Sequence, residues 1–146
     1  MENEFHINKD RIYEYIKGQH FMHLIGFSIN KIEEGIIEGE LDLKKIHKQQ
    51  KGFAHGGLIA TLADIVCGFA AYTVVHPQNH VVTAELKISY LNPGVGERLL
   101  AYGWVLKKGK KLNFCESEIY AVSGDKKFLI AKASSTMANI FTDDYQ

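Results

Sequence analysis

Cysteine is scarce in this chain and neither sign of charge is in excess, and these two absences exclude two classes of protein. Cys67 and Cys115 are the only cysteines among 146 residues, and they form neither a Cys-x-x-Cys pair nor a metal-site spacing. We therefore expect two reduced thiols packed inside a cytoplasmic protein, and no disulfide framework. Seventeen basic residues balance seventeen acidic ones, without a basic stripe that would favour nucleic acid as a partner.

Internal repeats, linkers and low-complexity tracts are also missing, which indicates a single domain over residues 1–146. The seven histidines are scattered along the chain, and we predict no metal site. The segment Met1 to Glu4, acidic through Glu2 and Glu4, lacks the apolar core of a signal peptide, which again favours a cytoplasmic location. We expect an N-terminal helical segment within residues 1–25 and a loose tail over residues 140–146.

One long apolar run stands out, from Leu58 to Val75, and it is interrupted by a single charge at Asp64. Its spacing predicts a helix that is apolar on every face, so lipid or protein must surround it. A mid-helix carboxylate costs roughly 2.5–3.5 kcal/mol in a membrane, and no Lys/Arg cluster flanks the run. We therefore expect no membrane partner. We expect instead a helix wrapped by a sheet, with one carboxylate buried for a functional reason.

The remaining chain predicts an α+β protein with a mainly antiparallel sheet. A short helix is expected first, and the segment before the long helix is a polar loop, Lys44 to Gly52. Alternating apolar and polar residues, bounded by turn signals, predict the strands. The predicted helix is Lys9–Gln19, and the predicted strands are Phe27–Ile32, Gly35–Leu43, Val81–Tyr90, Leu99–Leu106, Leu112–Val122 and Phe128–Met137.

The start of the long helix, His55-Gly56-Gly57, has the features of an anion site. Its first backbone N–H groups lack intrahelical partners, and the helix dipole favours negative charge there. Such a start can stabilise a developing oxyanion. Asp64 lies eight residues after Gly56, roughly 12 Å along the axis. Two antiparallel copies could bring each Asp64 to the other's helix start, which suggests a two-fold dimer with shared sites.

Two motifs connect the sequence to a known family. The pattern Gly52-x-x-His55-Gly56-Gly57-x6-Asp64, followed by Thr83-x-Glu85-x-Lys87-x-Ser89-Tyr90-x-x-Pro93, resembles hotdog-fold acyl-CoA thioesterases of the phenylacetate-pathway type. The resemblance implies a curved, mainly antiparallel sheet wrapped around a long central helix. It also implies hydrolysis of an acyl-CoA to a carboxylic acid and free coenzyme A, with no cofactor or metal, in a homodimer or a dimer of dimers.

The resemblance also implies roles for particular residues. Asp64 is expected to be the general base or the nucleophile, and Gly56 the oxyanion donor. Thr83 matches a residue that holds the attacking water, but strand parity places it on the polar face with Glu85 unless the strand bulges or Thr83 lies at its entry. Gln49 is a catalytic candidate, because many similar enzymes have at this position an Asn that helps orient the carbonyl or the attacking water. The expected substrate-binding residues are His55, Gly57, Tyr90, Asn92, Pro93, Lys107, Lys108, Gly109, Lys110 and Lys111.

Each of these residues also has a structural interpretation. A buried Asp is often held by hydrogen bonds, a Gly at a helix start permits close packing, and a lysine-rich turn is usually solvated. Two other functions stay open: a non-catalytic acyl-CoA sensor, which needs no general base, and a dehydratase, whose His–carboxylate arrangement we do not find. The acyl group is not determined by the sequence; aromatic lining from Phe53, Phe69 or Tyr72 is one option.

Overall fold

A computed structural model describes residues 9–141 and shows six antiparallel strands around one long helix. The strand order across the sheet is β1-β2-β4-β5-β6-β3, so that β1 and β3 form the two edges. The helices are α1 (Lys9–Lys17), α2 (His20–Ile25) and α3 (Gly56–Tyr72), with a 3₁₀ turn at Lys45–His47. The strands are β1 (Phe27–Glu33), β2 (Ile36–Asp42), β3 (Asn79–Tyr90), β4 (Arg98–Lys107), β5 (Leu112–Ser123) and β6 (Lys126–Phe141). The expected α+β hotdog arrangement is confirmed.

The helix α3 is the core of the fold, as its apolar faces predict. Leu62, Ala63, Val66 and Ala70 are fully buried, and the helix contacts strands β2 to β6. Gly103 of β4 permits close approach, because a Cβ there would lie 2.6 Å from the backbone of Val66. The sheet therefore encloses the helix on most sides, which explains why the helix carries so few polar residues.

The predicted end of this helix at Val75 is wrong, because α3 stops at Tyr72. The Thr73 hydroxyl donates to the Ala70 carbonyl at 2.7 Å and accepts the Gly35 N–H at 2.6 Å. This side chain caps the helix and ties it to the turn between β1 and β2. Val74 and Val75 are buried beyond the helix, so their apolar character reflects packing alone.

The chain ends differ from the prediction in two places. The expected single helix Lys9–Gln19 ends at Lys17, and α2 follows it, closed by Gly26 in the left-handed conformation. The prediction of a loose tail is wrong for residues 140–141, because they continue β6 and pair with His80 and Asn79 of β3. Residues 1–8 of the N-terminal segment and residues 142–146 of the tail lie outside the described residues. Across residues 9–141, no helix combines the length and hydrophobicity that a membrane crossing requires.

Candidate active site

Asp64 and Thr83 form a hydrogen-bonded pair between the central helix and an edge strand. The Thr83 Oγ1 donates to Asp64 Oδ1 at 2.6 Å. Among residues 9–141, this is the only hydrogen bond that Asp64 receives, so Oδ2 is available to a water molecule or a substrate. The half-buried carboxylate is therefore held in one orientation with one oxygen unoccupied.

A β-bulge explains why Thr83 faces the helix although simple alternation places it on the polar side. Thr83 pairs with Met137 and Glu85 pairs with Thr136, which leaves Ala84 as an extra residue in β3. The extra residue changes the phase of the strand. Thr83 therefore faces inward before the bulge, and Leu86 and Ile88 face inward after it, packed against the core. The predicted partnership of Thr83 with Asp64 depends on this one insertion.

A cavity of about 170 Å³ opens beside the Asp64–Thr83 pair, and we call it the Asp64 cavity. Its wall follows one face of α3 through Ile65, Gly68, Phe69 and Tyr72. Of the aromatic residues considered from the sequence, Phe69 and Tyr72 line the cavity and Phe53 does not. The lining is mixed: the Gln19 side chain joins the Asp64 carboxylate and the Thr83 hydroxyl as polar groups, and the rest is mainly apolar.

The helix start has a single free amide. His55 is the N-cap, and its Nδ1 accepts the Gly57 N–H at 2.9 Å. The N–H groups of Leu58 and Ile59 bond to the His55 carbonyl. The Gly56 N–H has no partner among the described residues. The oxyanion donor that the resemblance assigns to Gly56 is therefore available, whereas the Gly57 amide is already used to stabilise the helix start.

Tyr90 lies against this helix start. Its hydroxyl donates to the Gly56 carbonyl at 2.7 Å, which fixes the orientation of the peptide that follows the free amide. Asn92 and Pro93 follow on the exposed turn after β3, where the Asn92 side chain donates to the Leu129 carbonyl. These residues and the helix start thus form one group at one end of α3.

The lysine turn of residues 107–111 lies at the other end of the site. Met137 of β6 pairs with Thr83 of β3 on one side and with Asn113 of β5 on the other. Asn113 therefore lies two strand spacings, about 10 Å, from Thr83. The fully buried Asn113 accepts the Gly109 N–H and donates to Asn139, and Asn139 donates to the Lys110 carbonyl. The four lysines are exposed on a turn with a fixed backbone.

Gln49 is not brought to the Asp64 cavity in the described chain. Its side-chain oxygen accepts the Lys51 N–H, and its backbone N–H bonds to the Phe53 carbonyl at 2.8 Å. The carboxamide therefore closes its own turn, seven residues before the start of α3. The role that the resemblance gives to this position remains a prediction, and it would need the side chain to leave this turn.

His47 is a structural residue that sequence analysis did not identify. It is buried, its Nδ1 accepts the Lys44 N–H, and its Nε2 lies 2.7 Å from the Ile25 carbonyl. Its own carbonyl accepts the His55 N–H. The loop before α3 is thereby attached to α2. Sequence alone offered no signal for this role, because both contacts are to backbone atoms remote from any motif.

Within the part of the chain that the structure describes, no three His, Cys, Asp or Glu residues are grouped so that they could hold a metal ion. The groups that the site offers are a carboxylate, a hydroxyl and a backbone amide. A single protomer does not bring these together, because Gly56 and Asp64 are eight residues apart on one helix, roughly 12 Å along its axis.

Comparison with known proteins identifies the family of this chain. The thioesterase superfamily model matches residues 51–127, which include the helix start, Asp64 and Thr83. A protein of Saccharolobus solfataricus whose name records an expected esterase activity is 31% identical over 108 residues, covering 74% of this chain and 76% of its own. Human acyl-coenzyme A thioesterase 13 is 28% identical over 105 residues, covering 70% of this chain and 74% of its own.

A solved structure gives the same result. The crystal structure of a thioesterase family protein from Silicibacter pomeroyi superimposes with a TM-score of 0.89 at 28% identity, covering 91% of this chain and 98% of that one. The fold and the site together define a hotdog hydrolase. The chain belongs to the thioesterase superfamily, and it is a thioester hydrolase.

Proposed function

We propose that the protein hydrolyses an acyl-CoA thioester to a carboxylic acid and free coenzyme A, in a site shared by two protomers. The hydrogen bond from Thr83 to Asp64 carries the proposal, because it orients a carboxylate whose second oxygen stays free. The relation to a protein named acyl-coenzyme A thioesterase supports the choice of substrate. A sensor would need a pocket but no such oriented carboxylate.

In the proposed reaction, the thioester carbonyl lies between Asp64 of one protomer and the Gly56 N–H of its partner. The carboxylate either takes a proton from a water molecule whose oxygen attacks the carbonyl, or attacks the carbonyl itself to form a mixed anhydride that water hydrolyses after the thiolate has left. The carbonyl oxygen becomes negative in the tetrahedral intermediate, and the free Gly56 amide with its helix dipole stabilises that charge. The C–S bond then breaks, and the coenzyme A thiolate leaves and takes up a proton. No redox cofactor is needed, since hydrolysis transfers no electrons.

The edge strand β3 supports the proposed dimer. It pairs only with β6 in the described chain, so one side of its backbone is free to pair with another strand. Val82 is 45% exposed on this strand, an apolar residue that a partner would cover. A two-fold axis beside β3 would run the two copies of α3 antiparallel and bring each Asp64 toward the other's helix start. A dimer of dimers remains a prediction.

The lysine turn, Lys107 to Lys111, is the proposed contact for the phosphates of coenzyme A. Lysine is a compact positive charge suited to phosphate, and the asparagine pair Asn113 and Asn139 already fixes the turn. A substrate that retains the thioester but lacks the nucleotide should therefore lose affinity. Replacing acyl-CoA by the corresponding N-acetylcysteamine thioester is expected to raise KM far more than it lowers kcat.

The first test is Asp64→Asn, which keeps the size of the side chain and removes its basicity. We expect kcat to fall by about 10²–10⁴-fold, with substrate binding and folding retained. Free thiol released from a panel of acyl-CoA thioesters gives the rate, and Asp125→Asn, in the exposed turn between β5 and β6, is the matched control. Turnover near the wild-type rate in the Asp64 variant would refute the role, and binding of acyl-CoA without turnover by the wild type would favour the sensor.

A further inference from the structure

Gly68 is an unexpected residue at its position in the central helix. Glycine in a helix interior is less favourable than alanine, so it needs a reason. Packing supplies none here. Beyond the backbone of its own helix, a Cβ built on Gly68 meets no atom of residues 9–141 within 4 Å. The situation is the opposite at Gly103, where the added atom would collide with α3. The space beside Gly68 is therefore open, and no group of the described chain fills it.

The open space belongs to the Asp64 cavity. Gly68 follows Asp64 by one helical turn, and Tyr72 follows by two, so all three lie on one face of α3. The cavity reaches from the carboxylate along this face for roughly 12 Å at the usual helical rise. Val81 of β3 and Met137 of β6 form the opposite wall. A side chain at position 68 would project into the middle of this passage.

We infer, on the basis of the proposed function, that the acyl group of the substrate occupies the Asp64 cavity and that Gly68 sets the size it accepts. A carbonyl attacked at Asp64 needs room for its acyl group directly beside that carboxylate, and the cavity provides a passage there that is lined mainly by apolar side chains. An apolar cavity of about 150 Å³ is sufficient for a benzene molecule, and this one measures about 170 Å³. The acyl group is therefore compact, about six carbon atoms, and long linear chains are poor substrates.

A second apolar groove offers the competing location. It lies beside the helix start, measures about 460 Å³, and is lined by Phe21, Leu24 and Ile46 together with Gly57. A long acyl chain would have to use this larger groove. Asp64 does not line it. Gly68 is absent from its lining too, so substitutions in the two places separate the two locations.

The test is the series Gly68→Ala, Gly68→Val and Gly68→Leu, assayed with acetyl-, butyryl-, hexanoyl- and decanoyl-CoA. For the wild type we expect kcat/KM to rise up to hexanoyl-CoA and to fall for decanoyl-CoA. In Gly68→Leu the value for hexanoyl-CoA should drop by about 10–200-fold, the usual effect of lost or blocked space in an apolar pocket, while that for acetyl-CoA changes by less than about threefold. Gly68→Ala should show a smaller loss in the same direction, and it favours the helix, so the series retains a well-folded member.

Ile46→Ala is the matched control, since it changes apolar bulk in the other groove, where Ile46 is 78% exposed. It should leave the order of substrates unchanged. The inference is overturned if Ile46→Ala shifts the chain-length preference and Gly68→Leu does not. It is also overturned if the Gly68 variants lose activity equally on all four substrates, or if they dissociate the dimer in size-exclusion chromatography. A wild-type protein that hydrolyses none of the four would instead refute the proposed function itself.

Discussion

The hydroxyl of Thr83 reaches Asp64 only because Ala84 is inserted in the strand that carries it. We expect Thr83→Val, which removes the donor and keeps the branched shape, to lower kcat/KM by about 10–100-fold, the equivalent of one hydrogen bond to a charged group. Thr83→Ser retains the hydroxyl and should recover most of the activity. Steady-state kinetics with one acyl-CoA gives kcat/KM for the wild type and the two variants. Equal losses in the Val and Ser variants would show that the hydroxyl is irrelevant.

The two cysteines are a separate matter at the residue scale. Cys67 and Cys115 are buried between helix and sheet, as expected for packing thiols. Burial raises the pKa of the Cys67 thiol, and it raises the pKa of Cys115 to about 12. Both thiols thus stay protonated and unreactive at neutral pH.

A disulfide exchange reagent should consequently titrate no thiol in the native protein at pH 8 and two thiols per chain after unfolding in urea. The native thiols do not react because burial excludes the reagent and disfavours the thiolate, and unfolding removes both obstacles. The absorbance of the released chromophore gives the count, and the same property leaves the assay for released coenzyme A free of background. Rapid reaction of the folded protein would contradict the burial of these side chains.

At the scale of the element, Gly68 makes α3 less stable than alanine would, and it leaves space beside the Asp64 carboxylate. Gly68→Ala adds a methyl group that touches nothing and restricts the unfolded chain. We expect the free energy of unfolding to rise by about 0.5–1 kcal/mol, whatever the effect on the choice of substrate. Urea denaturation measures the change through the midpoint at constant slope. A destabilised Gly68→Ala protein would mean that the space is occupied by another part of the molecule.

The whole molecule is the scale at which the active site becomes complete. Gly56 and Asp64 stand on the same helix but too far apart to meet on one carbonyl, so the proposed site needs two chains. Gly56→Pro deletes the free amide and suits the backbone, because the preceding His55 has ψ 135°, a conformation that proline accepts. Gly56→Ala is its matched control, since it keeps the amide, and its Cβ would make an ordinary 3.5 Å contact with Tyr90.

We expect Asp64→Asn and Gly56→Pro to be inactive alone and to complement each other when mixed. Half of the randomly exchanged dimers are mixed, and one of their two sites has both intact groups, so about a quarter of the wild-type activity should return. The experiment co-refolds the variants at equal concentration, confirms exchange by mass spectrometry and folding by circular dichroism, and measures thioester hydrolysis. Confirmed exchange without recovered activity would exclude the cross-chain site.

The sequence by itself determined the parts of this protein that depend on local patterns. The apolar run around Asp64 predicted the central helix, alternation predicted the strands, and the His55-Gly56-Gly57 start with its distant carboxylate indicated the thioesterase family. Periodicity and short motifs are local properties of the sequence, so these features can be predicted without knowing which segments are in contact. The free Gly56 amide could be anticipated in the same way, because every helix start leaves such groups unpaired.

Only the tertiary structure decided which way Thr83 points, where the central helix ends, and what lies beside Gly68. The orientation of Thr83 depends on how β3 pairs with β6, and the end of α3 at Tyr72 depends on a hydrogen bond that the remote Gly35 N–H donates to the Thr73 hydroxyl. The open space beside Gly68 is bounded by residues from two strands far away in the chain. Each of these features results from contacts between distant segments, and local sequence does not specify such contacts.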